Sequence, residues 1–105
     1  MSNVRHMVSV RHQSKRGFGV VIEGIAVRWM WDEELAEAAA ADYRKYPADA
    51  RRALVQHAKQ LMAAADELLA LEGTAAAHRR ASELFQDAKA AVNAAHIVVM
   101  CGERP

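Results

Sequence analysis

DARRALVQHAKQLMAAADELLALEGTAAAHRRASELFQDAKAAVNAAHIVVMC, residues 49–101, is the stretch whose reading decides the fold. Between Asp49 and Glu72 the apolar positions are Leu54, Val55, Ala58, Leu61, Met62, Ala65, Leu68 and Leu69. Leu54, Leu61 and Leu68 recur at heptad spacing and the others fill in around them, which is the pattern of one helix face. Gly73 interrupts the run, and Thr74 can cap a second helix. Beyond it Ala77, Ala81, Leu84, Phe85, Ala88, Val92, Ala95 and Val99 continue the stripe. The final segment, His96–Cys101, contains Ile97, Val98 and Val99, so propensity alone would suit a fourth strand. Its phase matches the stripe before it, and Gly102 stands at a natural helix stop, so a helix is expected. The stretch therefore reads as an antiparallel helical hairpin, 48–72 and 75–100, with arms about 35–40 Å long. Its alanines permit close helix approach, either within the hairpin or between two copies.

The charges of the hairpin run against the helix dipole. Arg51 and Arg52 stand at a helix N-terminus, Asp66, Glu67 and Glu72 toward its C-terminus, and His78, Arg79 and Arg80 at the next N-terminus. Hairpin geometry offers a partial remedy, with Glu67 or Glu72 meeting Arg79 or Arg80 between the arms. Arg51 and Arg52 would turn to the C-terminal carbonyls of the last helix or to Glu103.

Upstream, Val4, His6, Val8, Val10 and His12 alternate with Arg5, Met7, Ser9 and Arg11, which is strand periodicity. Gln13–Gly17 reads as a loop, and Phe18, Val20 and Ile22 alternate again. A two-residue turn at Glu23-Gly24 would pair Ile22 with Ile25, Val20 with Val27 and Phe18 with Trp29. The loop at 13–17 would set Val10 beside Val20 and Val8 beside Ile22. One register thus gathers the large apolar residues on one face of a three-stranded antiparallel meander over about 3–31. Arg5, Ser9, Arg11, Glu23 and Arg28 fall on the other face, with Met7, Val21 and Met30 between them. Asp32 is a good N-cap for a helix over 32–46, with Leu35, Ala39, Tyr43 and Tyr46 as its apolar stripe. The whole is one α+β domain spanning 1–105, its sheet covered by three helices and Trp29 and Trp31 at the junction.

A chain of 105 residues with 52% hydrophobic and 26% charged residues folds as one globular unit without staples. A net charge of +1 excludes a strongly basic nucleic-acid protein but permits a local basic patch. Cys101 is the single cysteine, so no intrachain disulfide forms, and a reducing, cytoplasmic setting is expected. The N-terminus opens no signal-peptide pattern, no apolar run approaches a membrane span, and no membrane association is expected. The alanine-rich, arginine-over-lysine composition suggests a GC-rich genome and a bacterial or phage source.

No catalytic set is recognisable. His6, His12, His57, His78 and His96 are scattered, without HxxxH or CxxC spacing, so neither a metal nor a cofactor is expected. Cys101 and His96 read as helix-end residues, and Asp32-Glu33-Glu34 reads as capping. The remaining candidates are surfaces. Arg44, Lys45, Arg51 and Arg52, beside Tyr43 and Tyr46, form the densest basic cluster and are the expected partner-binding corner. Arg5, Arg11, Lys15, Arg16 and Arg28 form the alternative, a basic sheet face for nucleic acid. The expected function is a small non-catalytic protein-interaction module, an inhibitor, adaptor or assembly subunit that binds a protein partner. It is expected to be a homodimer, because the wide apolar stripes exceed what the sheet can cover.

Overall fold

Glu23 and Gly24 both take positive φ, 49° and 82°, the geometry of a two-residue turn whose twist matches antiparallel strands. They join β2 (Gly17–Ile22) to β3 (Ile25–Met30), and β1 (Val8–Gln13) pairs with the far side of β2, giving a meander in the order β1-β2-β3. Three helices come next: α1 (Glu33–Lys45), α2 (Pro47–Leu71) and α3 (Ala75–Gly102). The computed structural model describes residues 6–71 and 73–102. Residues 3–5, where the first strand was expected to begin, lie outside them, as do Glu72 and Glu103.

The expected register holds at one end of the sheet and shifts at the other. Val8 pairs with Ile22, Val10 with Val20, and Ile22 with Ile25. Beyond the turn, Val21 stands opposite Ala26 but Val20 opposite Arg28, so β3 carries one extra residue, a β-bulge at Val27. The expected pairs Val20–Val27 and Phe18–Trp29 give way to Val20–Arg28, Gly19–Trp29 and Phe18–Met30. Met30 consequently packs toward α1, with Val20, Phe18, Ala36 and Ala40, while Trp29 turns to the opposite face. There it lies flat on Gly19, where a Cβ would sit 2.8 Å from the indole ring. Arg16 covers the indole, its guanidinium carbon 4.6 Å from the ring centroid. Trp31, between β3 and α1 in the chain, is exposed.

Asp32 caps α1, its Oδ1 accepting from the N–H groups of Glu34 (2.9 Å) and Leu35 (3.2 Å). The helix meets the sheet through fully buried Ala36 and Ala40, whereas Leu35 and Tyr46, expected in its apolar stripe, are exposed. Small residues let the helix axis come down close on Val20, and the larger side chains are turned outward. The C-terminal end of α1 also holds the start of the chain. Imidazole Nε2 of buried His6 donates to the Tyr43 carbonyl (2.7 Å), and Arg44 donates from Nε (3.2 Å) and Nη2 (3.0 Å) to the Val8 carbonyl.

The hairpin is built on a heptad seam. Leu54, Ala58, Leu61, Ala65 and Leu68 of α2 face Ala77, Ala81, Leu84, Ala88, Ala91, Ala95 and Val98 of α3, in alternating steps of four and three. Ala65 packs with Ala81 and Leu84, Ala58 with Ala88 and Ala91, and Leu54 with Ala94, Ala95 and Val98. The alanines are therefore used inside the hairpin, and Val98 is the fully buried valine of the last turns. Segment 96–101 is helical, and α3 continues through Gly102 rather than stopping before it. Thr74 caps α3, its Oγ1 accepting from the Ala77 N–H (3.1 Å). Gly73 stands outside both helices, between α2 and α3.

Among the described residues the ion pairs are local and none joins Glu67 to Arg79 or Arg80, while the expected alternative through Glu72 lies outside them. Arg80 meets Glu83 of its own helix (3.2 Å), and Arg52 meets Asp49 one turn before it (2.7 Å). Pairs at this spacing need no alignment of one helix against another, so they form first.

This packing sets two stability outcomes. Ala88→Leu should overfill the seam and cost about 1–3 kcal/mol in urea denaturation, while Ala63→Leu on the exposed side of α2 should cost under about 0.5 kcal/mol. Gly24→Ala, where a Cβ meets nothing within 4 Å, should cost about 1 kcal/mol through backbone conformation alone.

Candidate interaction surfaces

Of the four residues expected to form a partner-binding corner, three are engaged within the chain. Arg44 is spent on the Val8 carbonyl and Arg52 on Asp49. The Lys45 ammonium sits 5.4 Å from the centroid of the Tyr46 ring. Arg51 is exposed, with no ion pair among the described residues. Beside this corner a cleft of about 650 Å³ opens between β3, α1 and α2, over Met30, Leu35, Tyr43 and Ala53. Two arginines (Arg28, Arg52) and two aspartates (Asp42, Asp49) line it, so it has no net sign to select a charged ligand.

The basic sheet face is also divided. Arg11, Lys15 and Arg16 are exposed around the β1–β2 loop, and Arg5 lies outside the described residues. Arg28, expected among them, is carried by the bulge into register with Val20, toward the helices. There it borders both the cleft just described and a second groove.

That second groove, of about 480 Å³, runs along the outer edge of β3. One wall is the strand itself, from Gly24 to Trp29. The other is the hairpin flank, carrying His57 and Leu61 from α2 and Arg80, Leu84 and Asp87 from α3. His57 is half-buried here. Burial pushes its imidazole below the usual value of 6.5, and the Asp87 carboxylate pulls part of the way back.

The two helices are antiparallel, so positions of the same heptad letter fall on the same flank. His57, Arg80, Asp87 and Ala94 mark the flank turned to the sheet. Val55, Met62 and Leu69 of α2, with Phe85, Val92 and Val99 of α3, mark the opposite one. The seam levels set Met62 across from Phe85 and Val55 across from Val92. Met62, Leu69, Phe85 and Val92 are each 37–39% exposed. The sequence stripe had merged this flank with the seam, because both recur at seven.

Among the described residues no three His, Cys, Asp or Glu side chains gather as a metal site, and no buried side-chain polar atom lacks a partner. No helix of the described residues is long and apolar enough to cross a membrane. No protein-family model, curated protein or solved structure matches the chain.

Because the folded pKa of His57 lies below 6.5, the unfolded chain binds that proton more readily. The stability tied to neutral His57 is complete above about pH 6.5 and is lost as pH falls through the folded pKa. The urea midpoint should therefore drop between about pH 7.5 and pH 5, and His57→Gln should flatten that slope.

Proposed function

We propose that the protein is a small non-catalytic interaction module that works as a homodimer, joined through the outer flank of its helical hairpin. The observation that carries this reading is the exposed ladder of Met62, Leu69, Phe85 and Val92, continued by partly buried Val55, with nothing of the same chain above it among the described residues. The molecule measures 52 × 30 × 16 Å. A body that thin has no second layer to place over this flank. Packing two ladders face to face makes a four-helix bundle, the usual way such helices bury a second stripe.

Charge selects how the copies meet. Lys59 and Asp66 border the ladder on α2, and Lys89 borders it on α3. A two-fold axis across the hairpin at the level of Met62 lays α2 over α2 of the second copy, antiparallel. Lys59 of each then faces Asp66 of the other. A two-fold along the hairpin would instead lay α2 over α3 and set Lys59 against Lys89, a like-charge contact. Exposed pairs contribute about 0–1 kcal/mol each, so they choose the orientation while apolar burial holds it.

The dimer would serve as an inhibitor, adaptor or assembly subunit for a protein partner, in a bacterial or phage setting. Its single cysteine favours a reducing compartment, and we place it in the cytoplasm. The nucleic-acid reading is weaker, because Arg28 leaves the surface that would have carried it.

Light scattering at high micromolar concentration should give twice the 11.6 kDa of the chain. A Met62→Glu, Phe85→Glu double variant should run at the single-chain mass with unchanged helical circular dichroism. Lys59→Asp should weaken the dimer, and adding Asp66→Lys should restore it. A monomeric wild type would end the proposal, and a double charge swap without rescue would refute the antiparallel arrangement.

A further inference from the structure

The groove beside β3 differs from the cleft beside α1 in sign and in wall. Arg16, Arg28 and Arg80 border it against the single carboxylate of Asp87. Glu83 engages Arg80 from the solvent side in an exposed pair, one that a second carboxylate can share. Between these charges the floor is apolar, from Ile25 on the strand and Leu61 and Leu84 on the hairpin. Gly24 and five consecutive strand residues, Ile25 to Trp29, form one wall, so the groove follows the strand for about 13–16 Å. β3 is an edge strand, and no described backbone hydrogen bond uses its outer side.

An edge of this kind accepts an added strand from another chain, with side-chain pockets giving specificity. The bulge at Val27 limits how it can do so. It breaks the regular spacing of free N–H and C=O groups, which disfavours pairing of β3 with another β3 along its length. Recognition then falls to the arginines and the apolar floor, with backbone pairing confined to a few residues.

We propose that this groove binds a short extended acidic segment of a partner protein, with its carboxylates on Arg28 and Arg80 and an apolar side chain over Leu61 and Leu84. Arg16, stacked on Trp29, closes the end of the groove near the β1–β2 loop. A nucleic-acid strand fits the same arginines less well. Asp87 opposes its phosphates, and the aromatic ring that lines the groove, Trp29, is held between Gly19 and the Arg16 guanidinium, so its faces are taken from base stacking. The proposal rests on the reading of this chain as a protein-interaction module but not on its being a dimer, since groove and ladder lie on opposite flanks of the hairpin.

The test uses a fluorescein-labelled octapeptide of alternating glutamate and valine, its lysine–valine counterpart, and a single-stranded oligothymidylate. Binding is followed by anisotropy at low salt. The acidic peptide should bind saturably, and its affinity should fall about tenfold in Arg28→Glu and again in Arg80→Glu. Both arginines are exposed, so circular dichroism should be unchanged. Arg51→Glu, away from the groove, should leave binding as it was. The same affinities should be found in the Met62→Glu, Phe85→Glu background, so failure of the dimer and failure of the groove read out separately. Absence of saturable binding, equal loss in Arg51→Glu, or tighter binding of the oligonucleotide through the same arginines would each overturn the proposal.

Discussion

The closeness of α2 and α3 is the constraint on which the rest of this molecule depends. Where Ala58, Ala65, Ala81, Ala88, Ala91 and Ala95 stand in the seam, only a methyl group separates the two backbones. Side chains that would make a thick core elsewhere are therefore displaced to the flanks. Two inequivalent faces result. One carries Ala94 and His57 toward the sheet, and the other carries Met62, Phe85 and Val92 outward. The sheet and α1 attach near the open end, through Ile22, Ala50 and Val98, so the hairpin tip extends beyond them. Alanine in α1 obeys the same rule, with Ala36 and Ala40 bringing that helix down onto Val20.

Most of the architecture was legible in the sequence, and the features that escaped it share a cause. The meander, the turn at Glu23-Gly24, the caps at Asp32 and Thr74 and the helical course of 96–101 each come from a local rule acting on neighbouring residues. The bulge does not. Val27, Arg28 and Trp29 alternate as well as any strand, and only the approach of α1 from one side and the gap over Gly19 on the other make the shift favourable. The choice of Ala36 over Leu35 as the inward side of α1 is similar. Hydrophobic strength pointed to leucine, and the distance between layers decided for alanine. Within the hairpin, a stripe at heptad spacing could not separate seam from flank, since Leu61 and Met62 recur together. Depth in the assembled hairpin tells them apart.

Charge was harder to place than apolarity. Arg44 and Arg52 stood out as a basic corner, yet each meets an acceptor that no linear pattern marks strongly: a strand carbonyl 36 residues away for Arg44, and Asp49 of the same turn for Arg52. An arginine near an open carbonyl or a local carboxylate is consumed structurally before it is offered to a partner. At the groove Arg16 and Arg28 form no ion pair among the described residues, and Arg80 shares its charge with Glu83 in an exposed pair, beside one further carboxylate, Asp87. Nothing in the spacing of residues 16, 28 and 80 would bring them together, since they come from a loop, a bulged strand and the start of a long helix.

One inserted residue in β3 thus links the fold to its surfaces. It exchanges Trp29 and Met30 between faces, so α1 receives a flexible side chain that fits its alanines and the indole is left to lie on Gly19 under Arg16. It carries Arg28 from the solvated face to the rim of the groove. It also interrupts the edge strand, which lowers the tendency of copies to pair strand to strand. In the proposed reading, self-association falls to the apolar ladder on the far flank, and the strand edge is kept for a ligand whose specificity comes from side chains. A regular strand of the same composition would have offered one edge to both proposed contacts, where strand pairing between copies and ligand binding would compete.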